Sequence, residues 1–151
     1  MFTLTIRGFA NGGDIPDLFT CEGDDISPAL TWSGEPAGTQ SFALIMDDPD
    51  APAGIWNHWL LWDIPGGHHS LPQHYRAANP VQSGTNDFGK TGYGGPCPPK
   101  RSGAHRYFFR LYALDTPALG ISPGADRKAL EQAIKPHQLG VAEYMGRCKR
   151  I

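Results

Sequence analysis

Two histidines, a tyrosine and an aspartate stand where apolar stretches of this chain begin or end. Asp48 follows SFALIMD, His58 sits near the start of WNHWLLWDI, and His105 and Tyr107 open HRYFFRLYALD. Imidazole N–H and phenol O–H groups are donors suited to oxyanions, and a carboxylate can orient or charge an imidazole. The same groups could also supply the base, acid and electrostatic clamp of a hydrolase. A hydrolase of the nucleophilic kind needs one more residue, and the sequence offers no clear one. There is no GxSxG turn, and Ser102 lies in a loop with no partner visible in the sequence. Prolines on both sides of Cys97 forbid a helix N-terminus there, which removes one usual activator of a thiol. Binding or regulation is therefore expected ahead of catalysis, with a hydrolase acting on a phosphate or ester as the alternative.

These residues need strands to hold them. Residues two apart on a strand share a face, so His105 and Tyr107 continue into Phe109, Leu111 and Ala113. By the same rule Trp56 and His58 align with Leu60, Trp62 and Ile64, and Asp48 with Phe42, Leu44 and Met46. Each row is apolar with a polar group at one end, as the mouth of a small-ligand pocket requires. Residues 2–7 and 29–32 read as further strands, and AEYMGRCKR as a closing one. SFALIMD is apolar on both faces, the pattern of a strand covered on both sides. The segment 125–134 has its apolar residues along one helical stripe, ended by Pro136. Residues 65–103 are mostly loop, and a loop that long in a small domain is usually functional. Within it His68, His69 and His74 read as solvated. The expectation is one domain over residues 1–151, an antiparallel β-sandwich with one late helix.

Composition narrows the functional classes. Lys and Arg total 13 against 15 Asp and Glu, so nothing suggests a nucleic-acid partner. No apolar run is long enough for a membrane span, and the N-terminus lacks a signal-peptide pattern. Gly and Pro make up 33 of 151 residues, which favours short elements and many turns over a helical bundle. Neither HExxH nor a P-loop or dinucleotide fingerprint is present, so no metal or cofactor is expected. Three irregularly spaced cysteines, Cys21, Cys97 and Cys148, read as thiols of a reduced cytoplasmic protein, with a single Cys21–Cys97 bridge left open.

The motifs DPDAP (48–52), WNHW (56–59), GPCPP (95–99) and GAHRY (103–107) resemble the phosphatidylethanolamine-binding proteins. FTCEGDDISPALTW, NDFG, GYGGPCPP and YALD are similar to its bacterial and archaeal Raf-kinase-inhibitor-like branch, over nearly the whole chain. The resemblance implies a Greek-key β-sandwich of two antiparallel sheets with a small anion pocket for phosphate or phosphorylated head groups. Carried over by motif, the ligand-binding positions are Asp48, Pro52, Trp56, His58, Pro98, His105 and Tyr107, with the peptide groups of 95–99 as a wall. It also implies a cis bond at Ala51–Pro52. As a carboxylate Asp48 would repel a phosphate in direct contact, so its expected role is to orient or charge His58, or to accept the ammonium of a head group such as phosphoethanolamine. A homodimer acting as an interaction module is the remaining implied class, with Trp32, Trp62, Phe108 and Tyr112 as surplus aromatics. Two positions depart from the family pattern. Asn57 stands where many members have histidine, and Cys97 where other branches have glycine.

Overall fold

Alternating side chains and frequent turns give this chain two sheets stacked face to face. A computed structural model describes residues 1–151. Strands β1 (Thr3–Ile6), β2 (Leu30–Ser33) and β5 (Ser70–Leu71) form a small sheet in the order β1-β2-β5. The larger sheet runs β6 (Gln82–Ser83), β4 (Trp56–Pro65), β3 (Ser41–Asp48), β7 (His105–Leu114), β8 (Gln138–Cys148). The pairings among these strands are antiparallel. β3 and β4 are neighbours in sequence and in space. β7 returns after a long connection to lie beside β3, the order that defines a Greek key.

All eight residues of β3 are buried, because this central strand has a layer on each face. Phe42, Leu44 and Met46 join the core between the sheets, against Leu4, Ile6, Leu30 and Trp32. Ala43 and Ile45 point the other way, where Leu130 and Ile134 of helix α1 (Arg127–Ile134) cover them. The helix starts two residues later than its sequence pattern suggests. Asp126 takes the N-cap position and its side chain accepts a hydrogen bond from Ala129 N. A second device holds the helix down. Arg127 hydrogen-bonds the buried carboxylate of Asp47, which Arg110 also reaches at 3.4 Å.

Simple alternation fails on β4. The register jumps between Met46↔Trp59 and Asp47↔Asn57, and again between Phe42↔Ile64 and Leu44↔Leu61. Each jump is a bulge that inserts an extra residue into β4 and resets which face follows. Trp59, Leu61 and Ile64 consequently fill the core between the sheets, whereas Leu60 and Trp62 lie under α1. The expected single row of Trp56, His58, Leu60, Trp62 and Ile64 is thus incorrect. Trp32 and Trp62 are also buried rather than available to a dimer surface.

Two further expectations are corrected. Cys21 and Cys97 form a disulfide, leaving Cys148 as the free thiol, so the reading of three reduced cysteines fails. The cis peptide bond lies at Asn79–Pro80, and Ala51–Pro52 is trans. The long segment 65–103 contains only the two-residue strands β5 and β6, and is tied down elsewhere. Gly94 N donates to His58 O at 2.9 Å, Cys21 N to Pro96 O at 3.1 Å, and His74 N to Ser27 O at 2.9 Å.

Candidate functional site

The site is built where β3, β4 and β7 end on one side of the larger sheet. Asp48, Pro52, Trp56, His58, Pro98, His105 and Tyr107 line one cavity of about 220 Å³, together with Ala51, Phe88, Cys97 and Pro99. The first bulge of β4 is what brings His58 round to Tyr107, with their rings edge to face at 5.2 Å. Phe88, from the NDFG turn, packs its ring 5.3 Å from His58 and 5.6 Å from Trp56. Still 42% exposed, it forms an aromatic lip over the imidazole. Phe88 was missed as a lining residue. An aromatic ring flanked by turn residues was the available signal.

Each polar group is fixed by a specific partner. His58 Nδ1 lies 2.6 Å from Gly94 O, and a carbonyl can only accept, so Nδ1 carries the proton and Nε2 has no protein partner. Burial lowers the pKa of this imidazole, only partly offset by the Gly94 hydrogen bond and the charge of Asp48. Tyr107 is fully buried, and burial followed by the Asp48 charge raises its hydroxyl far above the ordinary value. It is therefore a neutral donor at any ordinary pH.

Asp48 does not orient His58, as the sequence suggested. Its Oδ2 lies 2.7 Å from His105 Nδ1, and its Oδ1 accepts from Asp50 N at 2.8 Å. Both oxygens thus already hold a partner, and the carboxylate positions His105. On the other side of that ring, Ser102 Oγ lies 3.1 Å from His105 Nε2 and 2.7 Å from Pro99 O. Ser102 does have a partner after all.

The walls are held from behind. Asp50 receives Arg106 through two guanidinium hydrogen bonds of 2.9 and 2.8 Å and through Arg106 N at 2.9 Å. That pairing holds its carboxyl at about 2 and fastens the DPDAP turn to β7. On the facing side Gly95 N donates to Asp25 Oδ1 at 2.8 Å. A Cβ on Gly95 would sit 2.3 Å from both that oxygen and Phe19 O, so only glycine fits. The Cys21–Cys97 bridge and a contact from Arg150 to Pro98 O (3.3 Å) complete this wall. Asn57 lies outside the cavity, as alternation predicted. Its side chain accepts from Arg127 at 3.0 Å.

Fold and cavity together define a β-sandwich with a small, stiff-walled pocket at one end of its central strands. The chain belongs to the phosphatidylethanolamine-binding protein family, whose model matches residues 5–149. A relative named UPF0098 protein from Aquifex aeolicus is 47% identical over 147 residues, covering 95% of this chain and 86% of the relative. Another from Methanothermobacter thermautotrophicus is 46% identical over 151 residues, covering 97% and 98%. The crystal structure of Escherichia coli YbcL, described as a member of the mammalian PEBP family, superposes with a TM-score of 0.92 at 32% identity, covering 99% of this chain and 98% of that one. The family fold makes this a small ligand-binding or regulatory protein.

Proposed function

We propose that the 220 Å³ cavity binds phosphate or the phosphate of a small phosphorylated head group. The observation that carries this reading is that His58, whose Nε2 has no protein partner, and the buried Tyr107 line one small cavity with their rings packed edge to face. A pocket fixed in advance loses little entropy when a small anion enters. The volume suits a phosphate and a short substituent, and a longer apolar portion would run out past the half-exposed Phe88.

Phosphorus NMR with inorganic phosphate and phosphoethanolamine tests this. Broadening or a shift with the wild type, weakened by His58→Ala and by Tyr107→Phe, with no product formed, supports a binding module. No change with either compound removes simple phosphates as ligands.

One observation favours the hydrolase as a second reading. Ser102, His105 and Asp48 stand in the order of a nucleophile, a base and an orienting carboxylate, at 3.1 and 2.7 Å. Against it, the shorter contact of the serine hydroxyl is to Pro99 O, which competes for its one proton. A fluorophosphonate probe decides between the two readings. A wild-type adduct that Ser102→Ala abolishes would make the protein an enzyme, and an unmodified wild type leaves the binding reading in place.

A further inference from the structure

A second, larger cavity of about 540 Å³ is lined in part by residues 91–93, just before the strip that walls the first. We propose that it binds a small zwitterion of amino-acid type, with an ammonium at Asp25 and a carboxylate at Arg76. Its lining comes from the turn at 25–27, from Trp59 and Leu61 of β4, from 74–77, from Ser83 of β6 and from 91–93. None of these residues lines the first cavity.

The polar inventory points to a ligand with both charges. Arg76 is exposed, and its guanidinium has neither an ion pair nor a hydrogen-bond partner in the protein. Asp25 is likewise outside every ion pair, and its one partner is Gly95 N on Oδ1. The two residues face one cavity without pairing with each other. A simple anion placed there would meet the Asp25 charge, and a simple cation would meet Arg76. A zwitterion satisfies both.

Two more features fit the same occupant. Thr91 adds a side-chain hydroxyl to the lining, a group able to donate to or accept from a polar ligand. Trp59, Tyr75 and Tyr93 surround the space with rings, Trp59 and Tyr93 meeting edge to face at 5.3 Å. Aromatic faces suit both an ammonium and an apolar side chain. The rim is preformed: His74 N and Tyr75 N are bonded to Ser27 O and Oγ at 2.9 and 3.0 Å, so 74–77 is already in place. The volume lies within the range of small-molecule sites, about 300–1,000 Å³.

Calorimetric and amide-NMR titration with phenylalanine tests the proposal, beside N-acetylphenylalanine, which lacks the ammonium, and phenylalanine amide, which lacks the carboxylate. Binding of phenylalanine, weakened at least about tenfold in each blocked analogue, with shifts at the Trp59 indole and at Tyr93, is expected. Arg76→Ala, at an exposed position, should weaken phenylalanine and leave the amide unchanged. Excess phosphate and His58→Ala should leave phenylalanine binding intact, which separates this site from the first cavity. No binding of phenylalanine, equal binding of the blocked analogues, or indifference to Arg76→Ala overturns the proposal.

Discussion

His58 gives the pocket its chemistry at the scale of a single residue. With Nδ1 donating to Gly94 O and burial holding the ring neutral, Nε2 offers a lone pair to the cavity. An oxyanion that keeps a P–O–H can donate to it, and sulfate cannot. Inorganic phosphate should therefore bind at least about tenfold better than sulfate at pH 7.5, a ratio that competition NMR reads directly. Equal affinities would show that Nε2 does not face the ligand as an acceptor. A phosphate monoester loses its last P–O–H near pH 6, so its binding should strengthen below that pH.

The same residue sets a stability trend. Its folded pKa lies below the ordinary histidine value of 6.5, so the unfolded chain binds more protons in the window below 6.5. Stability is therefore present above that value and lost as the pH falls through the window. Thermal melts of the free protein should show His58→Gln less sensitive than wild type to acidification there. An unchanged slope would remove His58 as its source.

At the scale of elements, the strip 94–95 and the helix α1 show how positions are enforced. Gly95→Ala must push Asp25 or the backbone at Phe19 aside. Overpacking of this kind costs about 1–3 kcal/mol. The predicted outcome is a lower melting temperature together with loss of phosphate binding, since the wall of the cavity moves. A variant that melts earlier but binds normally would detach the strip from the site.

Helix α1 rests on the Asp47 carboxylate and on its cap. Breaking a buried ion pair costs roughly 3–5 kcal/mol, but Arg110 still reaches Asp47 in Arg127→Ala, so a loss of about 2 kcal/mol is expected by urea titration. Asp126→Ala, which removes only the cap bond, should cost about 1 kcal/mol.

At the scale of the whole molecule, the Cys21–Cys97 bridge joins positions 76 residues apart and fastens the pocket wall to the N-terminal segment. The chain-entropy model assigns a loop of that length up to about 4 kcal/mol. Alkylation of the unfolded protein should label Cys148 alone without reductant and all three cysteines with it. Labelling of three without reductant would show the bridge to be absent in solution. In the native state Cys148 should react slowly, because burial pushes its thiol up to about 11. The ends of the central strands, the two cavities and the bridge thus lie around one stretch of backbone, residues 92–97.

Much of this was legible in the chain. Periodicity placed β3, β7 and α1, because alternation and a helical stripe are local consequences of which faces are buried. The apolar pattern on both faces of residues 41–47 already required a layer on each side, and the motifs named the seven residues that meet at one cavity. What alternation could not contain were the two bulges of β4. A bulge is set by how neighbouring strands pair, and each one reverses every face that follows it. The pairing of Asp48 with His105 instead of His58 and the Cys21–Cys97 bridge join residues 57 and 76 positions apart. The second cavity likewise gathers five separate segments. Local sequence carries the tendency of each segment, whereas partners are chosen only when packing brings distant segments within bonding reach.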